Sequence, residues 1–185
     1  PLTPSRVSSL STRTTHPYVL NQTQLLLKQV GLVIKLENPY SFMTKGEMVE
    51  KCANKNILEA IYKTSVSCGK RGRRQHWDHK IGTEQCGRCM PCIYRRAALN
   101  KVNLDNEIFG IDVLKQVELT NDLPALFNYL KRKISLEEMK RDILVNGNID
   151  VENLEKYAKM VLRSKKEVLQ LFKNKGNTFV KGKLK

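Results

Sequence analysis

Four cysteines constrain the fold of this chain more than any other feature of its sequence. Two residues separate Cys86 from Cys89 and Cys89 from Cys92, and Cys68 lies on the far side of a polar loop. This spacing lets four thiolates surround one cation in a tetrahedron, which is typical of structural zinc sites. The sequence therefore predicts a zinc knuckle with Cys68, Cys86, Cys89 and Cys92 as its ligands.

Neighbouring residues support this interpretation but leave alternatives open. Gly87 gives room for a tight turn between two ligands, and Pro91 stiffens the backbone before the last one. The alternative is a cluster of reduced thiols or a disulfide pair. His76 and His79 also lie between the cysteines, so either imidazole can replace one thiolate. Cys52 has no partner at metal spacing and is predicted to be a small, buried apolar residue.

The chain carries a formal charge of +15, which attracts polyanions whatever the fold. The charge is concentrated in the loop at residues 70–74 and in the tail from residue 173. The loop is either mobile and solvated or a phosphate-binding loop. In the second case arginine forks grip phosphate, and Trp77 or Tyr94 stacks on a base. Nucleic acid is the partner that this second interpretation predicts.

Cysteine usage and hydropathy indicate a compartment. Four of five cysteines stand in metal spacing and no leader-like apolar run is present, which favours a reducing, cytoplasmic location. No stretch approaches the roughly 18 to 20 apolar residues of a membrane span, so no membrane partner is expected. The chain begins at Pro1 without an initiator methionine, and we expect a truncated polypeptide.

The amino-terminal third predicts a helix followed by a strand. Thr14 or Thr15 is the expected cap of a helix that runs through Pro17, near its first turn, to Val30, and Gly31 ends it. Residues 32–36 are expected to form a short, buried strand that closes in a turn at residues 38–40. A helix followed by a strand favours the α/β class.

Shorter helices are expected around the cysteines. Thr44 and Glu47 form a capping box that starts a helix ending near residue 53. A second short helix is predicted over residues 57–62. Residues 92–99 read as another helix, so the last metal ligands lie at its amino end, where the helix dipole favours thiolates.

The remainder is predicted to be helical, and the chain divides accordingly. Helices are expected over residues 123–133, 136–144 and 151–172, with a turn at residues 146–148. The resulting division is an α/β part at residues 1–120, an α-helical appendage at 121–173 and a disordered basic tail at 174–185.

Several motifs together resemble a known family. The resemblance rests on Ser11-Thr12-Arg13-Thr14-Thr15-His16-Pro17-Tyr18, Asn38-Pro39-Tyr40, Thr44-Lys45-Gly46-Glu47-Met48, Ser67-Cys68 and Cys86-Gly87-Arg88-Cys89-Met90-Pro91-Cys92 followed by Arg95-Arg96-Ala97-Ala98. These motifs resemble the carboxyl-terminal half of the QueC family of 7-cyano-7-deazaguanine (preQ0) synthases. Their form is most similar to the QueC-like proteins of anti-phage operons, the QatC proteins of the Qat system. The resemblance covers about residues 1–115.

The resemblance implies the carboxyl-terminal part of a Rossmann-like PP-loop (adenine nucleotide alpha-hydrolase) fold. Such enzymes use ATP and Mg²⁺ to transfer AMP to a carboxylate, here that of a 7-deazaguanine, which ammonia or a protein amine then attacks. Protein partners encoded in the same operon are also implied. The four cysteines carry over as structural Zn²⁺ ligands, and Thr44, Lys45 and Glu47 as substrate-binding residues. His16, before a proline at a helix start, is interpreted as structural, with a functional role as the alternative.

One departure from the family affects the predicted chemistry. The phosphate-binding signature Ser-Gly-Gly-x-Asp-Ser does not occur in these 185 residues, so this chain alone is not expected to hydrolyse ATP. Either the amino-terminal half has been removed, which the abrupt start at Pro1 favours, or the chain is a degenerate relative. The competing hypothesis is a non-catalytic zinc-ribbon protein that binds nucleic acid, with an affinity that falls steeply with salt.

Overall fold

The computed structural model of the protein describes residues 16–118, 123–145 and 149–184, and this part of the chain is helical without a β-strand. Three short 3₁₀ helices lie at Tyr62–Thr64, Arg71–His76 and Val113–Lys115. The α-helices are α1 (Pro17–Gln29), α2 (Lys45–Glu50), α3 (Lys55–Ile61), α4 (Met90–Asn100), α5 (Leu123–Lys131), α6 (Leu136–Leu144), α7 (Val151–Lys175) and α8 (Thr178–Gly182).

The chain divides into two compact units, and α7 contributes to both. One unit comprises residues 1–42 and 133–162, and the other comprises residues 43–132 and 163–185. In the first unit, Phe42 packs against Tyr157 of α7 with their ring centres 4.9 Å apart. The predicted division near residue 120 follows different boundaries and stays a prediction.

Helix α1 begins at Pro17, so this proline lies in the first turn as predicted. The Nδ1 atom of His16 accepts a hydrogen bond from the backbone N–H of Tyr18 at 3.2 Å and so caps the helix. The predicted caps Thr14 and Thr15 lie outside the described residues. Gly31 follows the helix with a φ of +82°, in the left-handed region that glycine adopts readily. None of the residues of α1 is buried, so its apolar face is open in this structure.

The predicted strand at residues 32–36 does not form. This segment has no regular secondary structure, and Val33 is 90% exposed. A strand needs a neighbouring strand for its backbone groups, and the described residues contain none. The N–H of Leu36 donates instead to Oε1 of Gln24 at 2.8 Å. The expectation of a buried strand was therefore wrong, and the α/β class is not confirmed by these residues.

The core of the second unit is built by α4, α5 and the carboxyl-terminal half of α7. Phe127 of α5 meets Phe172 of α7 edge to face, with ring centres 5.0 Å apart, and both side chains are fully buried. Ile93 of α4 and Leu171 of α7 are equally inaccessible. Because α4 is anchored in this core, the cysteines at its amino end are held in place as well.

The predicted disordered tail is instead folded. Helix α7 continues to Lys175, Asn177 caps α8, and Val180 has no exposed surface. The backbone N–H of Asn177 donates to the carbonyl oxygen of Leu114 at 2.8 Å. The composition of the tail predicted disorder because its apolar residues are few. A single well-packed valine and a single capping asparagine fold the tail but hardly change its composition.

The other helix predictions agree closely with the structure. Helix α6 has the predicted bounds and begins with a capping box between Ser135 and Glu138. Helices α5 and α7 start at the predicted residues. The predicted turn at residues 146–148 lies outside the described residues. In the part of the chain that the structure describes, no helix is both long and apolar enough to span a membrane.

Candidate metal centre and substrate-side residues

The structure brings the four predicted metal ligands together. The Sγ atoms of Cys68, Cys86, Cys89 and Cys92 all lie within 4.8 Å of one another. Three of these side chains have no exposed surface, whereas Cys68 is half-buried. A tetrahedral Zn²⁺ with Zn–S distances of about 2.3 Å needs sulfurs roughly 3.8 Å apart. The pair Cys86 and Cys92 lies at 3.9 Å, so the cluster can hold a metal ion.

The start of α4 and the turn at Gly87 bring the thiol groups close together. Cys89 is the N-cap of α4 and Cys92 lies in its first turn, as predicted. Gly87 has a φ of +79°, and a Cβ atom at this position would lie 2.2 Å from the carbonyl oxygen of Ile111. Only glycine fits both this conformation and this close approach.

Backbone amides surround the sulfurs. The N–H groups of Lys70 and Cys86 each donate to Sγ of Cys68 at 3.3 Å. The N–H of Cys89 donates to Sγ of Cys86 at the same distance. Amide donors stabilise a thiolate over a thiol, so this environment suits sulfur as a metal ligand.

The side chain of Gln85 connects the isolated cysteine to the other three. Its Nε2 donates to the carbonyl oxygen of Ser65 at 2.9 Å, and its Oε1 accepts from the N–H of Ser67 at 3.3 Å. Cys68 follows this segment directly. The amide of Gln85 thus places the fourth ligand, a role that sequence spacing did not reveal.

A segment that follows the cysteines in the sequence, at residues 110–111, also contacts the cluster. Ile111 donates its N–H to the carbonyl oxygen of Cys86 at 2.9 Å, and Gly110 donates to that of Gln85 at 2.8 Å. Trp77 packs against the cysteines and is 3% exposed. Its ring lies 2.4 Å from where a Cβ at Gly110 would be. Trp77 is therefore not available to stack on a base, because its ring is buried against the cysteine cluster, and of the two aromatic residues named for the phosphate-binding alternative only Tyr94 remains.

The pKa values of the three buried thiols are shifted in different directions. Hydrogen bonds from Cys86 and Cys92 lower the pKa of Cys89, whereas the hydrogen bond to Cys86 raises the pKa of Cys92. The hydrogen bond with Cys89 raises the pKa of Cys86. A divalent cation must displace the remaining protons, so its affinity is expected to rise with pH.

The alternatives to four thiolate ligands find less support. All five cysteines are free of disulfide bonds in the described chain. His76 and His79 are exposed and do not belong to the cysteine cluster. Cys52 is half-buried rather than buried as predicted, and its thiol donates to the carbonyl oxygen of Asn54 at 3.5 Å. Four sulfur ligands favour zinc or an iron–sulfur centre over hard cations.

Two consecutive arginines of the motif are buried in ion pairs. Arg95 bonds both oxygens of Glu107, at 2.7 and 2.9 Å, and donates to the hydroxyl of Ser65 at 2.8 Å. Arg96 bonds Asp105 at 3.1 Å and Asp112 at 2.6 Å. These bonds fasten residues 105–112, which carry the backbone contacts to the metal centre, onto α4.

The basic loop is partly neutralised. Arg71 and Arg74 both pair with Glu84, and Nη2 of Arg74 donates to the carbonyl oxygen of Lys80 at 2.5 Å. Arg73 is exposed. The loop contains a 3₁₀ helix at Arg71–His76, and two of its three arginines are engaged within the protein.

The predicted substrate-binding residues lie at the start of α2. The expected capping box is present: Glu47 donates its N–H to Oγ1 of Thr44 at 3.0 Å, and Thr44 donates its N–H to Oε2 of Glu47 at 2.8 Å. Thr44 is 2% exposed, whereas Lys45 is exposed to solvent. The hydrogen bond from Arg163 lowers the pKa of Glu47.

Helix α7 contacts this turn through residues that the sequence analysis did not identify. Arg163 bonds Oε1 of Glu47 through Nε at 2.5 Å, and Oγ1 of Thr44 donates to Oε1 of Glu167 at 2.5 Å. The ammonium group of Lys101 lies 3.6 Å from the carboxylate of Glu167. No local pattern could reveal these pairs, since Thr44 and Glu167 are 123 residues apart.

Comparison with known protein families identifies a similarity in the first part of the chain. The family model described as "Queuosine biosynthesis protein QueC" matches residues 16–103 of the chain. This stretch contains the capped turn and all four clustered cysteines, whereas Arg163 and Glu167 lie outside it. No curated protein and no solved structure matches the chain.

Proposed function

We propose that this chain is a QueC-like protein and the zinc-bearing part of a 7-cyano-7-deazaguanine synthase-like enzyme, because the family model matches residues 16–103. The observation that carries the proposal is the four-cysteine cluster, which lies inside the matched stretch together with the capped turn. A closed site with four sulfur ligands has no open coordination position, so Zn²⁺ here supports the fold and does not activate a substrate.

The proposed reaction is the ATP-dependent formation of a C–N bond on a 7-carboxy-7-deazaguanine. A carboxylate oxygen attacks the α-phosphorus of ATP, pyrophosphate leaves, and an acyl-adenylate forms. An amine nitrogen then attacks the acyl carbon, and AMP leaves. ATP and Mg²⁺ belong to the complete enzyme, because the Ser-Gly-Gly-x-Asp-Ser loop is absent from this sequence.

The proposed amine has two alternatives. Ammonia gives a primary amide, which becomes the nitrile of preQ0 only when a second ATP adenylates the amide oxygen, the two N–H protons are lost and that oxygen leaves with AMP. The amino terminus of a protein gives a stable amide-linked deazaguanine tag. The resemblance to QatC supports the second route in an anti-phage operon, with another protein of that operon as the acceptor.

Two measurements test the proposed activity. Intact-mass and amino-terminal peptide analysis of the natural polypeptide should find a Ser-Gly-Gly-x-Asp-Ser loop upstream of Pro1. That polypeptide should then release pyrophosphate from ATP when 7-carboxy-7-deazaguanine is present, but not when the analogue without the carboxyl group replaces it. Equal release with both compounds would overturn the assignment of the carboxylate as substrate.

One observation favours the competing hypothesis of a nucleic-acid-binding zinc protein. The unit formed by residues 43–132 and 163–185 contains 24 of the 33 Lys and Arg residues but 11 of the 18 Asp and Glu residues, a net charge of +13. Under this hypothesis, replacing Arg71, Arg73 and Arg74 with Ala weakens binding to a short RNA or DNA at low salt. Unchanged affinity in that titration would count against the basic loop as the interface.

A further inference from the structure

Arg163 and Glu167 lie four residues apart on α7, and each holds a different residue of the Thr44-Lys45-Gly46-Glu47 turn. We propose that they are positioning residues, which orient this turn and thereby present Lys45 to the carboxylate of a substrate. The claim that α7 orients the turn does not depend on the proposed function. The claim that Lys45 is presented to a substrate rests on the proposed function, and the experiments below test the two claims separately.

Arg163 fixes the carboxylate of Glu47 in one plane. Its Nε donates to Oε1 of Glu47 at 2.5 Å, and its Nη2 donates to Oε2 at 3.2 Å. The same Oε2 accepts the N–H of Thr44 at 2.8 Å, which is one half of the capping box. Two parallel bonds from a planar guanidinium restrict rotation of a carboxylate far more than one bond does. Arg163 therefore stabilises the cap as well as the charge of Glu47.

Glu167 fixes the hydroxyl group at the other end of the turn. Oγ1 of Thr44 donates to Glu167 and at the same time accepts the N–H of Glu47 at 3.0 Å. With its proton directed to Glu167, the hydroxyl offers its lone pairs to the turn. The Thr44 side chain is thus committed at both its donor and its acceptor positions and is not open to a ligand.

Gly46 allows this contact between the two helices. A Cβ atom at Gly46 would lie 2.5 to 2.8 Å from the carboxylate atoms of Glu167, closer than real Cβ atoms approach other groups. A larger residue at Gly46 would displace the flexible end of the Glu167 side chain, so the lack of a side chain at Gly46 favours the observed contact between Glu167 and Thr44. The turn at residues 44–47 and helix α7 therefore complement each other in shape at Gly46 and in charge at Glu47.

The charges around the turn are paired, with one exception. Glu47 is paired with Arg163, and Lys101 lies between Glu50 at 2.8 Å and Glu167 at 3.6 Å. Among the residues that the structure describes, Lys45 forms no ion pair and is exposed. Of the three predicted substrate-binding residues, Lys45 alone has its charge available for an anionic ligand.

Amide hydrogen exchange of the full chain tests whether α7 orients the turn. Arg163→Met and Glu167→Leu should each speed exchange in residues 45–51 by about tenfold, because the first removes the charged hydrogen bonds to Glu47 and the second removes the charged acceptor of the Thr44 hydroxyl. Arg163→Lys should restore part of the protection. Lys159→Met and Glu155→Leu are matched controls, since Lys159 and Glu155 form another pair four residues apart on α7, at 2.6 Å. Unchanged exchange in both test variants would overturn the proposal.

Calorimetric titration of the natural polypeptide, as in the pyrophosphate assay, with 7-carboxy-7-deazaguanine tests the link to the substrate. Lys45→Met should abolish measurable binding, and Arg163→Met should weaken it by about tenfold at unchanged zinc content. The control Lys159→Met should bind like the wild type. Faster exchange with unaltered binding in Arg163→Met would overturn the link to the substrate. If the wild type itself does not bind, the proposed substrate is wrong, and the exchange data still decide whether α7 orients the turn.

Discussion

The side-chain amide of Gln85 donates to the carbonyl oxygen of Ser65 over 2.9 Å, and this bond determines where Cys68 lies relative to the other three cysteines. Gln85→Leu should lower zinc affinity about 10- to 100-fold, as expected when a residue that orients a metal ligand is lost. Competition with a chromophoric chelator measures this. Gln75→Leu, at an exposed position of the same loop, is the control and should leave the affinity unchanged.

Cys89→Ser should release bound zinc and unfold the region around the amino end of α4. The serine hydroxyl is a far weaker ligand than a thiolate, and structural zinc contributes directly to folding free energy. Elemental analysis gives the zinc content per chain, and circular dichroism gives the loss of helix. Cys52→Ser lies outside the cluster and should keep one zinc per chain. Full zinc retention in Cys89→Ser would contradict the four-cysteine site.

Gly87→Ala should destabilise the protein by about 3 kcal/mol or more. The substitution adds the strain of a positive φ, about 1 to 2 kcal/mol, to a collision with the carbonyl oxygen of Ile111. Gly82→Ala separates the two effects, since Gly82 has a φ of +72° but open space around it. Urea unfolding of the zinc-loaded variants gives both free energies. Equal losses at the two positions would show that the collision is relieved without cost.

Asp112 should make stability depend on pH in the acid range. Burial raises its pKa, but the hydrogen bond and charge of Arg96 outweigh this, so the folded pKa lies below the ordinary value of 3.8. A group with a lowered folded pKa contributes stability above its unfolded pKa and loses it as pH falls through the folded value. Asp112→Asn should therefore cost about 1 to 2 kcal/mol at pH 7, and the difference from wild type should shrink below about pH 4.

Denaturation at several pH values checks this prediction. The free energy of unfolding of Asp112→Asn is compared with that of the wild type at each pH, because the cysteine ligands of both proteins also take up protons in acid. Asp78→Asn, at an exposed position, is the control and should follow the wild type at every pH. A difference between Asp112→Asn and wild type that does not change between pH 3 and pH 7 would contradict the assigned pKa shift.

Features that depend on neighbouring residues were predictable from the sequence. The capping box of Thr44 and Glu47, the bounds of α6 and the place of Cys89 and Cys92 at the start of α4 are all correct. In each case the residues that make the contact are within a few positions of one another. Cysteine spacing likewise predicted which four sulfurs meet, because few other arrangements satisfy it.

Features that depend on distant partners were not predictable. A strand at residues 32–36 requires a neighbouring strand, and the sequence pattern carries no information about whether one is present. Trp77 was expected in a solvated loop because its neighbours are polar, yet Gly110 and the cysteines bury it. Arg163, the partner of Glu47 on α7, is 116 residues away and belongs to a helix without a recognisable motif.

The bond between Thr44 and Glu167 also sets an order of events during protein synthesis, since 123 residues separate its two ends. A ribosome that adds roughly 5 to 20 residues per second needs about 6 to 25 s to pass from one to the other. During that time the helix that follows Thr44 can use its own capping box and the pair between Glu50 and Lys101, but not its contacts with α7. The nascent chain therefore carries this turn without Arg163 and Glu167 until the codons for α7 have been translated.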